Sequence, residues 1–137
     1  MTAKSVVKSV GFNPFGELIG LSFSFPRCRK GYSECVLEVS SNLLNPHGVV
    51  HGGVIYSMAD TGMGGALYPY LGHGELCATI EIQIVYFKSV ASGTLTCETK
   101  LVHRSGHIAV LELVIRNDEY HIAKAIGTFS IFQPRRA

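Results

Sequence analysis

The feature that most narrows the choice of fold is a set of four long extended segments behind a single long helix. "CATIEIQIVYFKS", "GTLTCETKLVHRS", "HIAVLELVIRND" and "YHIAKAIGTFSIF" each run for ten or more residues and are rich in β-branched and aromatic side chains. Turns containing Gly or Asn/Asp separate them, and "RSGH" and "RNDEY" are short enough to close antiparallel hairpins. Upstream, "YSECVLEVSS" over residues 32–41 alternates, with Cys35, Leu37 and Val39 on one face and Glu34, Glu38 and Ser40 on the other. A first strand is expected from Glu17 through "LIGLSFSF", with Leu21, Phe23 and Phe25 on one face and Pro26 as its stop. Before about Gly16 the chain reads as irregular, with room for a helical turn near "PFGEL".

The one long helix is expected over about residues 52–68, where Val54, Ile55, Met58, Gly62, Ala66 and Leu67 recur at three-to-four spacing and Pro69 ends the pattern. Gly53, Gly62, Gly64 and Gly65 interrupt it, each at a cost of about 1 kcal/mol against alanine. Such a helix needs packed surroundings to hold it. Ala123, Ala125 and Gly127 share a face of the last extended run and leave space for it. The order strand, strand, helix, four strands gives an α+β fold, one antiparallel β-sheet wrapped around one long central α-helix. Length fits a single domain over 1–137, its core at about 15–133 behind an irregular N-terminal segment.

Composition removes several functions. A net charge of +2 is too small to argue for nucleic acid or an anionic membrane. No apolar run approaches the ~20 residues of a membrane span. Cys28, Cys35, Cys77 and Cys97 form no CxxC pair, and no secretory leader is evident, so free thiols in a reducing cytoplasm are expected. His47 and His51 are four apart but flank Pro46 and Gly48, with no carboxylate or Cys beside them, so no metal site is expected. "RCRK" at 27–30 would lower the thiol pKa of Cys28 if its charges lie close.

Chemistry concentrates in "NPHGVVHGGVIYSMADTGMGGA", residues 45–66. First-turn N–H groups have no partner inside a helix and carry its positive end behind them, a place for a developing oxyanion. Gly52 and Gly53 add no side chain that would block close approach there. Asp60 follows Gly52 by eight residues, ~12 Å along the axis, beyond the reach of its carboxylate. Either the two features are unrelated, or the helix start of one chain meets Asp60 of another across a two-fold axis.

This pattern, with "IQIVYFKSVASG" at the end of the next strand, resembles the hotdog-fold acyl-CoA thioesterases of the 4-hydroxybenzoyl-CoA and phenylacetate-pathway type. The resemblance spans about residues 15–133 and rests on HGG with an acidic residue eight positions after its first glycine. It implies that Gly52 donates its N–H to the thioester carbonyl and that Asp60 attacks or activates water. Asn45 would help place the thioester or the water, His51 precedes the oxyanion glycine, and Thr79 matches a hydroxyl that supports the hydrolytic water. It further implies sites built across a homodimer, often paired into a homotetramer, and no cofactor beyond the CoA of the substrate. Thr79 fits poorly: simple alternation sets it opposite Ile80, Ile82 and Ile84, away from Asp60 of its own chain, a misfit that either a site across an interface or a bulge near Cys77 would resolve.

Met58 and Met63 are candidates for the acyl pocket, together with Tyr68. Arg104, Gly106 and His107, with His103, either contact the phosphates of CoA or form a solvated basic hairpin. Two other functions suit the same frame: a non-catalytic acyl-CoA-binding protein, and an enoyl-CoA hydratase or dehydratase using a His–carboxylate pair.

Overall fold

The computed structural model describes residues 13–24, 28–118 and 120–135. The expectations for the chain before Asn13, for Phe25 and Pro26, and for Arg27 lie outside the described residues. Helix α1 (Pro14–Ile19) opens the fold, capped by the Asn13 side chain, which accepts from the Gly16 N–H at 3.1 Å. Gly20, at φ 81°, stops it in the left-handed conformation that suits glycine. The strand expected from Glu17 therefore shrinks to β1 (Leu21–Phe23), because an Asn-Pro start and a Gly stop outweigh the alternation between them.

Strand β2 (Tyr32–Glu38) is followed by a 3-10 turn at Ser41–Leu43, helix α2 (Gly52–Leu67) and a second 3-10 turn at Tyr68–Tyr70. The four long segments become β3 (Leu76–Tyr86), β4 (Thr94–Ser105), β5 (Ile108–Asn117) and β6 (Tyr120–Phe132). All pairings are antiparallel, in the order β1-β2-β4-β5-β6-β3. Strand β3 reaches the edge because the connection from α2 returns it beside β6.

The concave face of the sheet wraps α2. Odd-numbered residues from four strands point at the helix and are buried, among them Leu37, Cys97, Leu113 and Ile131. Each fully buried Leu or Ile contributes about 1.5–3 kcal/mol, which offsets the weak helix propensity of α2. Glycine sets the closeness of the fit. A Cβ on Gly62 would lie 2.8 Å from Thr99 Oγ1 and 3.1 Å from Cys97 Sγ, and Ser33 Oγ donates to the Gly62 carbonyl at 2.6 Å. Gly127 on β6 lies directly beneath Met63, as the small-residue face of that strand predicted.

Glu34 departs from the alternating pattern. It is 3% exposed, and its carbonyl accepts from the Ser24 N–H and the Cys28 thiol, so chain packs over a face expected to meet water.

Candidate active site

The loop before α2 is built to aim the helix tip. Asn45 Oδ1 accepts from the His47 N–H at 2.9 Å and the Val49 N–H at 3.3 Å, an Asx turn that its residue type favours. The Val50 N–H then donates to Val90 at 2.8 Å and the His51 N–H to Leu43 at 2.9 Å, fixing the entry into the helix. His51 is the N-cap: its Nδ1 accepts from the Gly53 N–H at 2.8 Å. The Gly52 N–H, at the first helical position, has no acceptor among the described residues. The Tyr86 hydroxyl donates to the Gly52 carbonyl at 2.8 Å, so the end of β3 holds the helix tip.

Asp60 lies two turns further along. Thr79 Oγ1 donates to Asp60 Oδ1 at 2.5 Å within the same chain. This corrects the expected orientation of Thr79. A register shift between Thr79 and Glu81 marks a bulge at Ile80, which turns Thr79 inward with Ile82 and Ile84 and leaves Ile80 56% exposed. Strict alternation fails at that one residue.

Next to Asp60 in the chain, Thr61 lines a cavity of about 590 Å³ whose walls also include Phe23, Cys28, Gly64, Gly65 and Tyr68; Asp60 itself is not on the wall. Cys77 also lines it, its thiol pushed above the usual range by burial and then by the charge of Asp60. Met58 and Met63 are not on this wall. Both are fully buried on the face of α2 that meets the sheet, because they follow the apolar stripe rather than the Asp60 side. Tyr68 does line the cavity.

Arg104 has partners within the fold: Nη1 donates to the Tyr70 carbonyl at 2.6 Å, and Nη2 lies 3.5 Å from Glu75. It braces the turn after α2. Gly106 and His107 are exposed at the β4–β5 hairpin, and β-sheet register carries that hairpin to the Thr79 end of β3. The Cys28 thiol is raised, not lowered: burial pushes it up, outweighing its hydrogen bond to the Glu34 backbone, and the charge of Glu34 adds to the rise. Cys35 is held well above the usual range by its hydrogen bond with Cys97 and by burial. Among the described residues no three His, Cys, Asp or Glu side chains converge to hold a metal.

Tyr86 and Phe23 are among the residues that escaped the sequence reading. Tyr86 follows Ile82 and Ile84 in the inward alternation and could have been placed from that phase. Phe23 could not, because its role depends on β1 lying across the end of α2.

The chemistry of this arrangement is a free N–H at a positive helix tip and a carboxylate pinned by a hydroxyl, ~12 Å apart on one helix. Residues 47–123 match the thioesterase superfamily, and that span contains the whole arrangement. The chain belongs to that superfamily. Its fold is the hotdog fold, a curled antiparallel sheet around one helix. Thioesterase HI1161 of Haemophilus influenzae shares it at a TM-score of 0.81, with 22% identity, over 97% of this chain and 96% of that one. The PaaI protein of E. coli, from the phenylacetic acid degradation operon, shares it at a TM-score of 0.77 and 21% identity, over 88% and 86%. A curated protein of Archaeoglobus fulgidus named "Putative esterase" is 33% identical over 102 residues, 73% of this chain. The match spans 64% of that relative's length, under two thirds of it.

Proposed function

We propose that the protein hydrolyses acyl-CoA thioesters to free acid and CoA at two sites shared across a symmetric dimer. The observation that carries this reading is that strand β3 holds both halves of the chemistry. Thr79 grips Asp60 near one end and Tyr86 grips Gly52 at the other. Strand β3 is also the sheet edge, paired on one side only, an open template for a second copy. If two copies of β3 pair antiparallel about an axis near Ile82 and Gln83, Thr79 of one faces Tyr86 of the other. Asp60 of the partner subunit then approaches the Gly52 N–H, closing the ~12 Å gap that one chain leaves.

In each site the thioester carbonyl accepts from the Gly52 N–H at the helix tip. A donor so placed is worth about 3–4 kcal/mol as negative charge builds on the oxygen. Asp60, held through Oδ1 by Thr79, uses its other oxygen. It either takes a proton from water, which attacks the carbonyl carbon, or attacks that carbon itself to form a mixed anhydride that water opens. Both routes expel CoA as the thiol, and oxygen-18 from labelled water enters the Asp60 carboxylate only by the second. The amide NH₂ of Asn45, whose oxygen is committed to the loop, is left to orient the water. Gly53 keeps the tip clear of side chains, and Gly106 and His107 stand where the CoA tail would leave the site. The reaction needs no cofactor beyond the CoA of the substrate.

A contact between dimers would use the convex face, where exposed Val85, Phe87 and Ile126 around a depression of about 380 Å³ support that reading. The four cysteines are all free, in keeping with a cytoplasmic setting. No described helix is long and apolar enough to cross a membrane. A purely binding role gives the Asp60–Thr79 pair nothing to do. A hydratase needs a His facing that carboxylate, whereas His51 Nδ1 is occupied by the Gly53 N–H. Release of free thiol from a panel of acyl-CoA esters tests the reading: turnover supports it, and saturable binding without CoA release contradicts it.

A further inference from the structure

The cavity beside Asp60 carries information about the acyl group. On the open face of α2, Gly64 follows Asp60 by one turn and Tyr68 by two, about 6 and 12 Å along the axis. A Cβ on Gly64 would meet nothing within 4 Å, so this turn of the helix is a bare floor. At Gly65 a Cβ would run into the ring of Phe23, which lies on that residue as a side wall. Tyr68 and Pro69 line the cavity beyond it.

The volume, about 590 Å³, falls within the usual range for small-molecule sites and exceeds what one aromatic ring would fill. Three polar side chains on the wall have other duties, and most of the exposed wall is carbon. Asn13 caps α1, the Cys28 thiol donates to the Glu34 carbonyl, and the Arg29 guanidinium stacks over the Tyr32 ring at 4.4 Å. A slot of this make suits unsubstituted hydrocarbon. At ~1.25 Å of advance per C–C bond, the 12 Å from Asp60 to Tyr68 holds about nine or ten carbons.

Resting on the thioesterase reading, we infer that the site takes straight, unsubstituted acyl chains of about eight to ten carbons, and that the missing side chain at Gly64 sets this length. Short acyl groups reach Asp60 but leave the slot empty. Longer ones must pass Tyr68.

The test is a kcat/KM profile for the full chain over straight acyl-CoA esters from acetyl to palmitoyl, with phenylacetyl-CoA and 4-hydroxybenzoyl-CoA alongside. The optimum is expected at octanoyl or decanoyl, at least about tenfold above butyryl and above both aryl esters. Gly64→Leu should lower kcat/KM on decanoyl-CoA by about twentyfold or more and on butyryl-CoA by less than about threefold. Gly64→Ala, with one added methyl, should shift the profile the same way by less, and it serves if the Leu variant misfolds. An optimum on an aryl, acetyl or palmitoyl ester, or a profile that neither variant moves, overturns the inference. Binding of S-decyl-CoA, a thioether that cannot be cleaved, separates this outcome from failure of the hydrolase reading. With no ester cleaved, thioether binding that Gly64→Leu weakens about tenfold leaves the slot standing and removes the hydrolase. With no binding, both fall.

Discussion

Helix α2 shows two faces that use the same residue type for opposite ends. On the sheet side, Gly62 is small because something is there: Thr99 and Cys97 occupy the space its Cβ would need. On the open side, Gly64 is small and nothing is there. The first glycine serves packing and the second leaves open space. A glycine count cannot separate the two, but the identity of the nearest atoms can. Asp60 belongs to the open face, and Met58 and Met63 to the packed one.

If the comparison is right, the two faces fail differently when altered. The largest effect is expected from Asp60→Asn, with kcat down by at least about a hundredfold and the unfolding midpoint little changed. Near-normal turnover, or a loss explained by unfolding, would erase the distinction between the faces. Gly62→Val should do the reverse, costing about 2–3 kcal/mol of stability by overpacking against Thr99 and Cys97, measured by denaturant unfolding. An unchanged midpoint would mean that the helix shifts freely on the sheet.

The smallest expected change sharpens the open face. Thr79→Val removes the hydroxyl on Asp60 Oδ1 and should lower kcat by about tenfold with little effect on KM, while Thr79→Ser retains most of the rate. Equal losses in Val and Ser would assign Thr79 to packing instead.

How much of this was legible in the sequence follows from which forces act locally. The four long strands and the helix were readable because side-chain periodicity and turn chemistry are local signals. The edge position of β3 and the burial of Glu34 depend on which elements meet across the fold, so periodicity could not show them. Thr79 illustrates the limit most clearly: one bulged residue, Ile80, reverses the phase that alternation assigns to everything before it. Met58 and Met63, candidates for the acyl pocket by type, are committed to the sheet by the apolar stripe of α2, and the wall of the open cavity falls to Gly64, Gly65 and Tyr68. The Gly52–Asp60 spacing, in contrast, carried through intact, since helix rise alone fixes it.

The account rests on the site being shared between two chains, and mixing two inactive variants tests that directly. Gly52→Pro deletes the oxyanion N–H at a helix position where proline fits, since His51 before it has φ −59° and ψ 133°. Asp60→Asn deletes the carboxylate. Alone, each should be nearly inactive. Unfolded together and refolded as an equal mixture, half the dimers carry both variants, and each such dimer has one intact site. The account predicts recovery of about a quarter of wild-type thiol release. A mixture no more active than its two components would place Gly52 and Asp60 in separate roles and contradict it.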